Sequence, residues 1–398
     1  MRTIIEKEER AYLEVSLALR MIPLLGASRI KQLLEAVDDP GQIFEQSAAD
    51  LVNVNRIGPQ IAEKIGSFND WKKVEAIMEE AGKLNAVMLT PFHTAYPAML
   101  KEIHDPPPVI WVRGSLEVLQ KDYLAVVGTR SPGVAGKKMT VVLTKDLARR
   151  SHLGIVSGLA SGVDTLAHET ALEQNIPTIA VLGSGIDWIY PRSNISLAYR
   201  IIENGGAIIS EQLPGTRPDA GNFPERNRIV SGMSAGVLVI ESGIAGGSLI
   251  TARQALDQNR EVFIVPHDPL NSMGEGCNRY IQRGWGKLVL TAGDILEELP
   301  VELQKKSETT HISNDSGGMA GGGVINLQIA SPSWKERCTN DTQKSICRLL
   351  TDQKRALHID EMAEILSVSS SGLLPELLFL ELEGIVLQKP GKKFNLVL

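Results

Sequence analysis

A chain of 398 residues with 43% hydrophobic and 22% charged residues and a formal net charge of -6 is neither disordered nor fibrous, and it lacks the basic coat of a histone-like DNA packer. Its length predicts two or three domains. No run of about 18 apolar residues occurs, and the charged start MRTIIEKEERAYLE does not fit a signal peptide, so a cytoplasmic protein with no membrane partner is expected. Cys277, Cys338 and Cys347, odd in number and far apart in sequence, read as reduced packing residues rather than a disulfide framework or a metal clip.

Residues 1–85 read as a helical domain, with apolar periodicity in AYLEVSLALRMIPLLG, ASRIKQLLEAV and IAEKIGSFNDWKKVEAIMEEAG. Two stretches there, LLGASRIKQLLEA at 24–36 and NRIGPQIAEKIGS at 55–67, each set an apolar residue and a glycine in a tight turn before a helix. They read either as helix-hairpin-helix units whose turn N–H groups hold phosphate or as αα-hairpins that simply fold against each other. The proline-rich passage HDPPPVIWVRG then breaks the pattern.

Within residues 86–300, short β-branched runs alternate with helical patterns: YLAVVGTR, GIVSGLA, PTIAVLGSGI, GGAIISEQ, GVLVIES, EVFIVPH and KLVLT. Their nearly continuous Val, Ile and Leu content predicts strands covered on both faces, hence a doubly wound α/β domain. The polar, Gly/Ser-rich residues 301–340 read as a flexible linker, and 341–398 as three short helices and a hairpin in the order of a winged helix. The presumed recognition helix SSSGLLPELLFLELEG carries three Glu and neither Lys nor Arg, which predicts contact with protein rather than DNA.

In an open parallel sheet, ligands bind beyond the carboxyl ends of the strands. Here those ends include Gly128-Thr-Arg130, Ser157-Gly-Leu-Ala-Ser-Gly162, Gly183-Ser-Gly185, Glu241-Ser-Gly243 and Gly246-Gly-Ser248, small-residue turns that let backbone N–H groups approach an anion. A phosphate-bearing ligand is expected. No P-loop signature occurs, and the first strand ends in VVGTRSPG rather than Gly-x-Gly-x-x-Gly, which disfavours an ATPase and a dinucleotide redox enzyme. No His, Cys, Asp and Glu spacing suggests a metal, so neither metal nor cofactor is expected. His168 reads as a packing or capping residue, and His267, at a strand end, as structural.

The segment GNFPERNRIVSGMS at 221–234 sets Arg226, Asn227 and Arg228 in the first turns of a helix, where cations oppose the helix dipole. Either the two arginines pair with carboxylates such as Glu225, Asp219 or Glu211, or they meet an anionic ligand with Phe223 as a stacking face. The two arginines point about 200° apart on a helix, so one of them can be structural.

With these residues in place the chain resembles the DNA-processing protein A family, also called DprA or Smf. The motifs are YPAMLKEIHDPPPVIWVRG, LAVVGTRSPG, SGLASGVDTLAHETAL, AVLGSGIDWIYP, GAIISEQLPG, GNFPERNRIVSGMS, VLVIESGIAGGSLITARQAL, EVFIVPH and GCNRYIQRG, and the resemblance extends over nearly the whole chain. The resemblance implies an extended Rossmann-like, mostly parallel sheet, an N-terminal helical domain like a sterile alpha motif and a C-terminal winged-helix-like domain. It further implies a non-catalytic mediator that binds and protects single-stranded DNA, hands it to the RecA recombinase in natural transformation or related recombination, and forms a homodimer through the Rossmann-like domain. Carried onto this sequence, the implied DNA pocket is Gly128, Thr129, Arg130, Ser157, Gly158, Phe223, Arg226, Asn227 and Arg228, closed by Gly247 and Ser248. Thr129 stands where Ser is expected, His267 where Gly is, and Trp285 where Ala is, and the last two can reshape the rim or add a stacking surface. The competing class is a Rossmann-like phosphoribohydrolase with Pro-Gly-Gly-x-Gly-Thr-x-x-Glu, but the matching stretch, Ile244 to Arg253, lacks its Glu.

Overall fold

The computed structural model describes residues 2–305, 338, 340–353, 355–366, 368–382, 385–389 and 393–396. Those up to 305 belong to one compact unit and those from 338 onward to another. Most of the expected linker at 301–340 lies outside the described residues.

The first unit opens with helices α1 (Arg2–Met21), α2 (Ala27–Glu35), α3 (Ala48–Val52), α4 (Pro59–Gly66) and α5 (Trp71–Lys83). The two similar stretches fold alike. Leu24 and Arg56 each take a positive φ two residues before a glycine that starts a helix, Gly26 or Gly58, and the intervening Leu25 and Ile57 are buried. Arg29 ties the turns together by donating to the carbonyls of Leu24 at 2.7 Å and Arg56 at 3.1 Å. The predicted boundary at residue 85 falls inside this unit. Leu17 and Ala18 of α1 and Val74 and Ala81 of α5 share an apolar cluster with Trp111, Ala180 and Ile208 of the sheet described next.

That sheet has nine strands: β1 (Val87–Leu89), β2 (Ile110–Gly114), β3 (Tyr123–Val127), β4 (Gly154–Ser157), β5 (Thr178–Leu182), β6 (Ala207–Ser210), β7 (Gly236–Val239), β8 (Glu261–Ile264) and β9 (Lys287–Leu288). The seven predicted runs are β3 to β9, all parallel, whereas β1 and β2 add an unanticipated antiparallel pair at the edge. The order is β1-β2-β6-β5-β4-β3-β7-β8-β9. From β3 the chain therefore winds one way through β4, β5 and β6 and the other way through β7, β8 and β9, so the order reverses between β3 and β7.

Alternation along the strands feeds two cores, because successive side chains point to opposite faces. Ala125, Val127, Val237 and Val239 face one cluster, and Leu124, Val126, Leu238 and Ile240 face the other. The first is covered by α10 (Asn222–Gly232), α11 (Gly247–Asp257) and α12 (Glu275–Gln282), the second by α7 (Val134–Arg150), α8 (Val163–Glu173) and α13 (Ala292–Leu296). Helices α6 (Ala98–Lys101) and α9 (Ile195–Glu203) complete the unit.

The second unit has helices Asp341–Gln353, Ile359–Leu366 and Ser370–Leu382 and a three-stranded antiparallel sheet in the order Leu357–His358, Lys393–Leu396, Val386–Lys389. Ile346, Leu350, Met362, Leu377 and Phe394 form its core. Cys338 and Cys347, read from sequence as remote, are neighbours here with their Sγ atoms 3.8 Å apart, and burial pushes the Cys347 thiol up to about 12.

Candidate nucleic-acid interface

The order reversal between β3 and β7 leaves a crevice at their carboxyl ends, where no crossover helix can lie over the gap. The Thr129 amide donates to the Glu241 carbonyl at 2.7 Å and its carbonyl accepts from Val163 at 3.2 Å, which draws the turns after β3 and β7 and the start of α8 together. A cleft of about 800 Å³ opens there. Gly128, Thr129, Arg130, Gly158, Phe223, Arg226, Asn227, Gly247 and Ser248 line it, bringing together nine of the eleven residues implied by the resemblance.

One of the turns expected to hold phosphate, Ser157 to Gly162, and the start of α7 are filled by the protein itself. The Glu241 carboxylate, 2% exposed, accepts the Gly133 amide at 3.0 Å just ahead of α7. Asp164, at the start of α8, accepts the Gly158 and Ala160 amides at 3.1 and 3.3 Å. A carboxylate at a helix start is favoured by the dipole and satisfies otherwise orphaned N–H groups. Burial nevertheless raises the Asp164 carboxyl above its usual range, against the pull of Arg226 and those two amides.

The floor of the cleft comes from α10. Arg226 is buried and donates to the carbonyls of Gly158, at 2.7 Å, and Val181. Burial lowers its guanidinium to about 10, with Asp164 opposing and Arg130 reinforcing the shift. The guanidinium takes up the space beside Gly158, where a Cβ would stand 2.3 Å from the Arg226 Nη2 and displace it. Phe223 lies over Gly183, whose Cβ would come within 2.8 Å of its ring. The Arg130 guanidinium stands 5.4 Å from the Phe223 centroid and the Tyr190 ring 5.8 Å away, tilted by 37°. Asn227 reaches the Gly247 carbonyl at 3.3 Å, and Ser248 donates to the Ser242 hydroxyl at 2.8 Å, which fixes the start of α11 against the turn after β7.

The remaining two residues fall outside the cleft. Ser157 is fully buried beneath it, its hydroxyl spent on the Val126 carbonyl at 2.6 Å. Arg228 points away, with Nη2 2.6 Å from both Glu211 oxygens and Nη1 donating to the Asp105 carbonyl at 2.6 Å. Of the alternatives for the two arginines, pairing with Glu211 describes Arg228. His267 is held by the Ile240 carbonyl at 2.7 Å and by Asn278 on its backbone, and Trp285 meets the edge of Tyr280 at 5.2 Å; neither lines the cleft. Tyr190, 44% exposed, belongs to the site without having been singled out, its signal being the Trp-Ile-Tyr-Pro run after β5.

One Gly-x-Ser-x-Gly spacing occurs, Gly232 to Gly236, but it joins a helix to a strand, the reverse of a nucleophile elbow. Its Ser234 is fully buried and donates to the Ser231 carbonyl at 2.9 Å.

Residues 87–300 match the family model described as DNA recombination-mediator protein A. The DNA processing protein DprA of Bacillus subtilis is 43% identical over 206 residues, spanning 52% of this chain and 68% of that one. Protein Smf of Synechocystis is 31% identical over 391 residues, 95% of this chain and 97% of its own. The X-ray structure of DNA processing protein A from Streptococcus pneumoniae superposes with a TM-score of 0.61 at 32% identity, covering 71% of this chain and 96% of that one.

Proposed function

Because the chain belongs to the DNA recombination-mediator protein A family, we propose that the cleft between β3 and β7 holds single-stranded DNA and that the protein protects the strand and passes it to the RecA recombinase, in natural transformation or related recombination. The observation that carries this reading is the grouping of Phe223, Tyr190 and Arg130 over the buried Arg226. Unpaired bases stack on aromatic faces whatever their identity, and a guanidinium beside the ring meets the phosphate that follows; a duplex, with its bases already stacked, gains nothing from such a platform. Arg130 is exposed and has no carboxylate partner among the described residues, so its charge is available. The reading includes a cytoplasmic homodimer formed through the Rossmann-like domain, where Leu288 of the last strand β9 and Leu290 just beyond it are exposed.

The protein acts here without catalysis. Asp164, the carboxylate that lines the cleft, is already engaged with two amides, and Arg253, on the stretch that a phosphoribohydrolase would fill with its Glu, cannot exchange a proton near neutral pH.

The test is binding of single- and double-stranded oligonucleotides across a salt series. Single strands should bind more tightly, and Arg130→Ala should flatten the slope of log K against log salt by about 0.7, the contribution of one phosphate contact. Phe223→Ala should weaken binding about 5- to 150-fold for every base composition. Equal affinity of both variants and the parent, or preference for duplex, refutes the reading.

A further inference from the structure

We infer that Trp188 and Arg217 form a second base-stacking position, which receives a nucleotide neighbouring the one in the cleft; the inference rests on the proposed single-stranded-DNA reading. The Arg217 guanidinium lies 5.6 Å from the Trp188 ring centroid, an arrangement like that of Arg130 at 5.4 Å over Phe223. The two pairs belong to one continuous wall. Tyr190, two residues beyond Trp188, and Pro218, next to Arg217, both line the cleft, and Tyr190 is itself in contact with Phe223.

The loops that carry the pair are held without it. Gly215 donates its amide to the Asp187 carboxylate at 2.9 Å, Gly185 to the Thr216 carbonyl at 2.9 Å, and the Ser184 hydroxyl caps the Trp188 carbonyl at 2.6 Å. The indole belongs to none of the apolar clusters of the fold and is only partly buried. Arg217 is equally unspent. Asp187, next to Trp188, and Asp219, two residues beyond Arg217, are engaged with the amides of Gly215 and Gly221, and Arg217 has no carboxylate partner among the described residues. A rigidly mounted, partly buried ring with an unneutralised cation beside it suits a base and its phosphate, since both ligand groups are met on one preorganised surface.

The experiment measures affinity for oligothymidylates in a length series from about 4 to 16 nucleotides, the range of single-strand site sizes. The full chain is compared with Trp188→Ala, Trp188→Phe, Arg217→Ala and Phe223→Ala, each checked for an unchanged thermal midpoint. For the shortest bound strand Trp188→Ala should match the parent, and for longer strands it should bind about 5- to 150-fold more weakly, while Trp188→Phe retains most of the affinity. Should Trp188→Ala lose its fold, Arg217→Ala, altered at an exposed side chain, must still show the length-dependent loss. Unchanged affinity at every length with Phe223→Ala impaired overturns the second position and leaves the proposed function standing. Equal loss at every length also overturns it, because Trp188 would then act through the first position. Failure of the parent to bind any strand overturns both.

Discussion

Arg226 and Arg228 stand two residues apart, and helical geometry sends them to opposite sides of α10. Their residue types and divergence could be read from the sequence, but which one turns toward the cleft depends on where Gly158 and Glu211 lie, 68 and 17 residues away in the chain. Tyr190 and Trp188 left a weaker trace, since an aromatic in a loop looks the same whether it is buried or open. His168 was legible as a packing residue, and its surroundings set its protonation. Thr178 gives its one hydroxyl proton to the Ile155 carbonyl, so at 2.7 Å the His168 Nδ1–H must be the donor to Thr178, leaving Nε2 bare and buried without a partner. Burial, reinforced by Arg226, lowers the imidazole to about 3, far below its unfolded value near 6.5. The folded state therefore takes up the proton later than the unfolded state does. Its stability should be complete above about pH 6.5 and fall as pH drops toward 3, with about 2 kcal/mol lost by pH 5. Urea melts at pH 7 and pH 5 check this, and His168→Gln should reduce the difference between them.

The strands β3 to β9 could be read because burial on both faces demands unbroken Val, Ile and Leu, a pattern that water-facing segments cannot carry. β2 escaped because Pro106, Pro107 and Pro108 run straight into it and proline argues against a strand, yet the ladder begins only at Ile110, past the last of them. The strand-end turns were visible as small-residue runs. Their occupancy was not, since Glu241 reaches Gly133 across 108 residues of sequence. The same reach lets Arg228 join α10 to Glu211, just past β6, and to Asp105, ahead of β2. Arg228→Ala strands the buried Glu211 carboxylate and should cost about 3–5 kcal/mol in urea denaturation. Oligonucleotide affinity per folded molecule should stay unchanged, whereas a DNA-contacting arginine would lower it.

For the molecule as a whole, a net charge of -6 coexists with a cleft bordered by Arg130 and floored by Arg226, so total charge says little about the local field. The two units are also unlike in chemistry. Helix Ser370–Leu382 of the second unit has no basic side chain and exposes Leu374 and Leu378, at 52% and 57%, which suits a protein partner better than a phosphate backbone. A chain ending at residue 305 should accordingly keep the parent's affinity for single strands within about twofold, a factor worth less than one ordinary hydrogen bond, as measured by fluorescence anisotropy. A large loss would assign the second unit to the DNA surface. Glu241 and Asp164 occupy amides at the start of α7 and in the turn before α8. Inorganic phosphate and free nucleotides, abundant wherever DNA is handled, find those landing places taken. What the cleft offers instead is ring surface, which a polymer can engage repeatedly and a lone anion cannot; on the proposed reading this would keep the protein available for strands amid a crowd of small phosphates.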